Sequence, residues 1–424
     1  MGEDRHREEQ EFSFVKEKIK HQPIYQNKRL RKAVMHISMA ILYGVIACFV
    51  FVQIHPWMEQ KFGEEEATEI TLPEEEADVP ETEVLQEEPQ EPIVITEARE
   101  LEIEDYRKLY QKLESMAVEC ERSLVTVTAA NSDTDWFNKI YKSKDQLSGL
   151  LVGNNGVELL ILTSYSGIEA ADQLQATFAD QVTHEATLKN YDLVTDLAVI
   201  SVNLADVSEN TLGHIAMASL GSSRSVRPGE PVIAVGSPVG VTGSVLYGNL
   251  TLTDYKTSVI DGEYSLLITD MVRTADSSGV LLNLQGQVIG LIENKYLSTG
   301  NQNMLTAYGI SDIKNVIEHL SNSKDLVYIG ITGTNVTADI TEEQGIPAGV
   351  YVTGVEMASP AMSAGIQPGD IITEISGQEI TSVVHIQELL LKFSREQVIQ
   401  VTVMRQGKEG YQEIPCRVAL EQLK

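Results

Sequence analysis

Between residues 123 and 322 the chain alternates short apolar, β-branched runs with turn chemistry, a rhythm that predicts a mainly β domain. SLVTVTA opens the series, and GLLVGNNGVELLIL reads as two strands around the hairpin-forming Asn154, Asn155 and Gly156. Further strands are expected at DLAVISV, PVIAVGSP, SVLYGNLTL, SLLITDMV and VLLNLQGQVIGLI, a spacing that suits a barrel or sandwich. AYGISDIKNVIEHL then changes period. It predicts a strand followed by a helix with Ile313, Val316, Ile317 and Leu320 on one face and Ser311 or Asp312 as its cap. Ahead of the β domain, Leu101, Tyr106, Leu109, Leu113 and Met116 recur at close to a helical turn amid charged residues. They predict an amphipathic helix over 96–122 whose apolar stripe packs on the adjoining domain.

A second module is expected over 326–424. Ser359 and Pro360 start a short helix and Gly365 closes it; Pro368, Gly369 and Asp370 turn the chain into the strand IITEI. Residues 382–392 form another amphipathic helix, and a closing hairpin turns through Gln406, Gly407 and Lys408. Near the start of the chain, residues 33–54 carry no Asp, Glu, Lys or Arg. That run is long enough for a helix to cross a hydrocarbon core of ~30 Å at ~1.5 Å per residue. Lys28, Arg29, Arg31 and Lys32 crowd its N-terminal flank, so residues 1–32 are expected in the cytoplasm and everything after Trp57 outside the cell membrane. Residues 55–95 are rich in Glu with interspersed Pro, too like-charged to build a core, and predict a disordered, extended tether.

Charge and cysteines narrow the function. The 424-residue chain has a formal net charge of −30 and no long basic patch beyond its N-terminus, which argues against nucleic acid as a partner. Cys48, Cys120 and Cys416 are scattered, without the spacing of a disulfide framework or a metal site, and no metal or cofactor is expected.

LLILTSYSGI at 159–168, DLVTDLAVI at 192–200, VIAVGSPVG at 232–240 and TADSSGVLLN at 274–283 together resemble the HtrA/DegP family of trypsin-fold serine proteases. The segment from GVYVTGVEMASPAMSAGIQPGD onward resembles the PDZ domain that follows the protease in that family. The resemblance implies a trypsin-like double β-barrel and a C-terminal α/β PDZ domain, preceded by the membrane helix and the acidic tether. It also implies a triad of His, Asp and Ser, in which the Ser attacks, the His takes its proton and the Asp orients the His. Asp196 falls at the Asp position and Ser278 at the nucleophile when counted forward from Asp270; counted back from Asn283, Ser277 takes that place. The general-base position is Ser166, whose hydroxyl does not titrate near neutrality. The family's glycine- and proline-rich nucleophile loop is here Ala275, Asp276, Ser277, Ser278, Gly279 and Val280, which puts a carboxylate near the developing oxyanion. A catalytically degenerate member is therefore expected, with an active endopeptidase in protein quality control as the alternative.

His184 and His214 do not follow the strand and turn that place the base, and His319 is expected in an ordinary helical role. The PDZ resemblance assigns carboxylate-binding backbone to Tyr328, Ile329, Gly330 and Ile331, with His385, Leu389 and Leu390 for the side-chain pocket of a bound peptide. The implied partners are polypeptide segments or protein C-termini, and either self-association or assembly with an active paralogue.

Overall fold

The computed structural model describes residues 67–73, 102–130, 146–296 and 303–423, with a few isolated positions between 32 and 39. All elements below lie in the unit Glu66–Lys424. The expected cytoplasmic segment and membrane run fall outside the described residues apart from those positions; among the described residues no helix is long and apolar enough to cross a membrane. Within the acidic stretch, residues 67–73 pack on the unit that carries the barrels. Asn322 pairs with Ile70 through both its amide groups, at 2.8 Å each, and Leu72 is buried. Ile70 also covers Gly153, where a Cβ would lie 2.2 Å from its Cδ1. A short apolar alternation inside a charged run is enough to hold this part of the chain against the barrels.

Helix α1 (Ile103–Glu121) starts with a capping box between Glu102 and Asp105. Only the second half of its expected stripe packs: Leu113, Met116, Ala117 and Cys120 meet the core, while Tyr106 and Leu109 are exposed. The first barrel follows. Its strands are β1 (Leu124–Ala130), β2 (Gln146–Asn154), β3 (Glu158–Ser164), β4 (Gln173–Thr177), β5 (Thr183–Asp192) and β6 (Leu197–Asn203), closing in the order β1-β2-β3-β6-β5-β4. After α2 (Glu209–His214) comes the second barrel: β7 (Pro231–Ser237), β8 (Ser244–Val259), β9 (Gly262–Val272), β10 (Ser278–Leu282), β11 (Val288–Glu293) and β12 (Met304–Gly309), closing as β10-β11-β12-β9-β8-β7.

The central strands read as unbroken apolar runs because both of their faces are buried. On β3, Leu159 and Ile161 point into the first barrel, whereas Leu160 and Leu162 join Leu150, Val199, Ile233, Val280 and Tyr308 in the core shared by the two barrels. Each such side chain contributes roughly 1.5–3 kcal/mol by leaving water. This shared core fixes the seam along which a cleft opens.

Helix α3 (Ile310–Ser321) buries Ile313, Val316, Ile317 and Leu320 as expected, but neither Ser311 nor Asp312 caps it. Gly309 is the N-cap without a side-chain bond; Ser311 Oγ accepts from Ser223 N and Asp312 from Ser265 N, so both side chains reach across to other elements. Tertiary partners outcompeted the local cap.

The C-terminal module begins with β13 (Val327–Tyr328) and β14 (Ile331–Val336), then α4 (Ala338–Gln344), β15 (Gly349–Val355), α5 (Pro360–Ala364), β16 (Ile371–Ile375) and β17 (Gln378–Glu379). It ends with α6 (Val383–Leu390), β18 (Val398–Gly407), β19 (Gly410–Ala419) and β20 (Glu421–Gln422). Its main sheet runs β14-β15-β16-β18-β19. Ser359 caps α5 and Gly365 ends it in the left-handed conformation, as the Ser-Pro and Gly signals predict. Asp370, 1% exposed, is neutralised by Arg405 at 2.6 Å, which locks the turn before β16 to β18.

Candidate functional site

A cleft of about 390 Å³ lies between the barrels, walled by the ends of β2, β3, β6, β10 and β11 and the loops beside them. It brings together Ser166, Asp196, Ser277 and Ser278. Strand β3 ends at Ser164, and Tyr165 N donates to Asp196 O at 2.8 Å, clamping the following turn to the start of β6. Asp196 takes a left-handed φ of 61°, which aspartate tolerates better than most residues. Its carboxylate accepts from Ser164 Oγ at 2.6 Å, Ser166 Oγ at 2.8 Å and Ser166 N at 2.8 Å. Ser164, two residues before Ser166 and missed by the sequence reading, is therefore an equal partner. Alternation along TSYS was the signal that could have found it, since it puts both hydroxyls on one side.

The loop after β9 is held from within. Ser277 is 1% exposed; its Oγ donates to Pro238 O at 2.6 Å and accepts from Thr274 N at 2.8 Å. Its N–H donates to Thr274 O at 3.4 Å and its O accepts from Asn294 Nδ2 at 2.6 Å. Ser278 begins β10 opposite Ser237 of β7, and its Oγ accepts from Ser148 N at 3.1 Å. Gly279 takes φ 117°, and a Cβ there would lie 2.2 Å from Val235 O, so this close strand crossing requires glycine. The Ser277 hydroxyl is thus committed to backbone as donor and acceptor, and the Ser278 oxygen as acceptor. Two further carboxylates stand in the wall, Asp276, which is exposed, and Glu293, which is 5% exposed and accepts from Lys295 N, Tyr296 N and Thr306 Oγ1. Tyr296 OH and Lys295 Nζ reach Val194 O at 2.6 and 3.1 Å, tying the second barrel to the loop that carries Asp196.

No histidine lines the cleft among the described residues. His184 lies on β5 opposite Ala176, its ring edge-on to Phe178 at 5.5 Å. His214 ends α2 with Nδ1 2.7 Å from Asn210 O, and His319 bridges Asn315 O and Leu391 O at 2.9 Å each. A proton leaving a serine here would find two further serine hydroxyls and a carboxylate already holding three donors.

In the C-terminal module Ile329 and Ile331 are buried with Val350, Ile386, Leu389 and Leu390. Leu389 and Leu390 therefore belong to the module's core, while His385 is half-buried in the first turn of α6, its N–H on Ser382 Oγ. Gly330 takes φ 89°, and a Cβ would fall 2.3 Å from Ser359 Cβ. The amides of Ile329, Gly330 and Ile331 converge on one point, as in an anion-binding turn. The residue at that point is Asp261, which the sequence reading did not single out. It is the tip of the turn between β8 and β9, 6% exposed, with burial pushing its carboxyl up to about 6.

Comparison with known proteins fits both halves. Residues 147–291 match the trypsin-like peptidase domain and residues 327–415 the PDZ domain. The chain belongs to the HtrA family. Serine protease Do-like HtrB of Bacillus subtilis is 30% identical to it over 283 residues, 62% of this chain and 60% of the relative. Serine protease Do-like HtrA of Lactococcus lactis subsp. cremoris is 25% identical over 323 residues, 71% of this chain and 76% of the relative. The structure titled HtrA-type protease AlgW with tripeptide superposes with a TM-score of 0.52 at 21% identity, covering 74% of this chain and 97% of that one, a likeness of fold. Within this HtrA-family chain the two closed barrels are the trypsin-like body and the C-terminal sheet is the PDZ domain.

Proposed function

We propose that this chain is a membrane-anchored, extracytoplasmic pseudoprotease of the HtrA family that holds polypeptide segments without cutting them. One observation carries the reading: at the position of the family's general base, Ser166 Oγ donates to Asp196 at 2.8 Å. A nucleophilic serine needs an acceptor of suitable pKa within hydrogen-bond reach, and a hydroxyl is none. The inward bonds of Ser277 and the engagement of its N–H with Thr274 O support the same conclusion, since one of the two candidate nucleophiles has its hydroxyl and its N–H occupied. The PDZ domain supplies the holding function, because strand addition with backbone capture of a terminal carboxylate uses no catalytic side chain; the HtrA-type protease AlgW has been solved with a tripeptide. The anchor reading rests on the uncharged run 33–54 and its basic flank.

The names of the two relatives favour a second reading, a serine endopeptidase working through Ser277 or Ser278. Fluorescent unfolded casein separates the two. The full chain is expected to bind it saturably and leave it intact; fragmentation that disappears in a Ser277→Ala, Ser278→Ala double variant would establish the protease instead.

A further inference from the structure

The turn between β8 and β9 reaches the PDZ domain in a particular way. Asp261 N donates to Ile331 O at 2.7 Å, a strand-type bond to the first residue of β14. Its carboxylate accepts from Ile329 N at 2.6 Å, Gly330 N at 2.9 Å and Ile331 N at 2.8 Å. One residue thus makes both contacts expected of the last residue of a peptide added to this sheet edge: the N–H to the strand and the carboxylate to the amide loop. Beside it, a Cβ on Gly262 would lie 3.0 Å from Gln387 Oε1 on α6, so the turn enters the domain through a passage that admits glycine. Asp261 forms no salt bridge among the described residues; backbone amides alone hold it, as they would a chain terminus.

We propose that Asp261 is a resident stand-in for a peptide's terminal carboxylate, so that a free C-terminus must displace the β8 to β9 turn before it can bind. The inference rests on the reading of the PDZ domain as a peptide-holding module and adds its regulation: capture of a C-terminus is coupled to separation of that domain from the second barrel. The ligand class is an extended peptide with a free α-carboxylate. Only the loop's own geometry is needed, and the apparent affinity is lowered by the fraction of molecules in which Asp261 occupies it.

The test uses the full chain in detergent against an arrayed library of short peptides with free C-termini and the same sequences amidated, for wild type, Asp261→Asn and Asp261→Ala. Hydrogen exchange of the segment containing residues 327–332 is read in parallel. Assayed at pH below about 6, where Asp261 lends the docked state its stability, both variants are expected to bind free-acid peptides about tenfold tighter or more than wild type, to ignore the amidated set, and to exchange faster at the loop. His319→Ala, which loses the bond to Leu391 O without touching the loop, is expected to tighten binding by a smaller factor. Equal affinity in wild type and both Asp261 variants overturns the stand-in and leaves peptide capture standing. Faster loop exchange with no peptide bound by any form overturns the ligand assignment and the capture reading together.

Discussion

Asp196 and Asp261 are both aspartates in the left-handed conformation, at φ 61° and 54°, and each carboxylate accepts three close donors. The donors differ in kind. Two of the three at Asp196 are side-chain hydroxyls, from Ser164 and Ser166, and a different side chain at either place changes the chemistry. All three at Asp261 are backbone amides, held by the path of the chain around Gly330. A site made of side chains can lose its reaction through a single exchange, whereas one made of backbone keeps its anion preference as long as the fold stands. Under the reading proposed above, this asymmetry is how one chain lets go of cutting and retains holding.

The largest effect is expected where the backbone itself is disturbed. Gly330→Ala puts a Cβ 2.3 Å from Ser359 Cβ at φ 89° and should cost the PDZ domain roughly 2–4 kcal/mol, read as a shifted denaturation midpoint. A stability within 0.5 kcal/mol of wild type, a spread of about that size being usual for harmless substitutions, would show that the loop is not constrained as described. The next contrast is pH. Burial raises the Asp261 carboxyl from its ordinary 3.8 to about 6, so the stability this group lends the docked state is fully present below 3.8 and is lost as pH rises through about 6. The charged and titratable groups facing it are Glu356, which pushes in the same direction, and Tyr328. The protection of the loop amides, with the intrinsic base-catalysed rate divided out, should therefore fall between 3.8 and about 6 in wild type and show no such fall in Asp261→Asn. Smaller still is the cleft: Asp196→Ala leaves Ser164 and Ser166, 3.1 Å apart, to bond each other, and should cost about 1–2 kcal/mol, with Ser166→Ala costing less. A loss above that in Ser166→Ala would mark its hydroxyl as structurally indispensable.

Much of this was legible along the chain, in proportion to how local the cause is. Barrel strands such as VELLIL and PVIAVGS declare themselves by composition, and the Ser-Pro start and Gly end of α5 by capping chemistry. Strand β4, QLQAT, passed unnoticed because only Leu174 and Ala176 face inward and the rest is polar. The cap of α3 was misplaced because Ser311 and Asp312 have better partners in Ser223 and Ser265, far away in sequence. Asp261 shows the limit most clearly. Asp-Gly between two apolar runs announces a hairpin turn, but nothing near it announces a bond to Ile329, 68 positions on. Counting along the chain left Ser277 and Ser278 as alternatives at the nucleophile; the structure turns Ser277 inward to Pro238 O and places Ser278 at the head of β10 against Ser148 N. The tyrosine-lined first half of α1 had the right period and yet stays exposed, because periodicity reports a face without saying what covers it.

Cutting requires an activated serine, and a fluorophosphonate reads that property directly. The full chain is treated with an excess of the reagent alongside Bacillus subtilis HtrB, and adducts are located by mass spectrometry. The account predicts no adduct on Ser277 or Ser278 under conditions that label the relative. An adduct on either serine that is lost when that residue becomes alanine would contradict it.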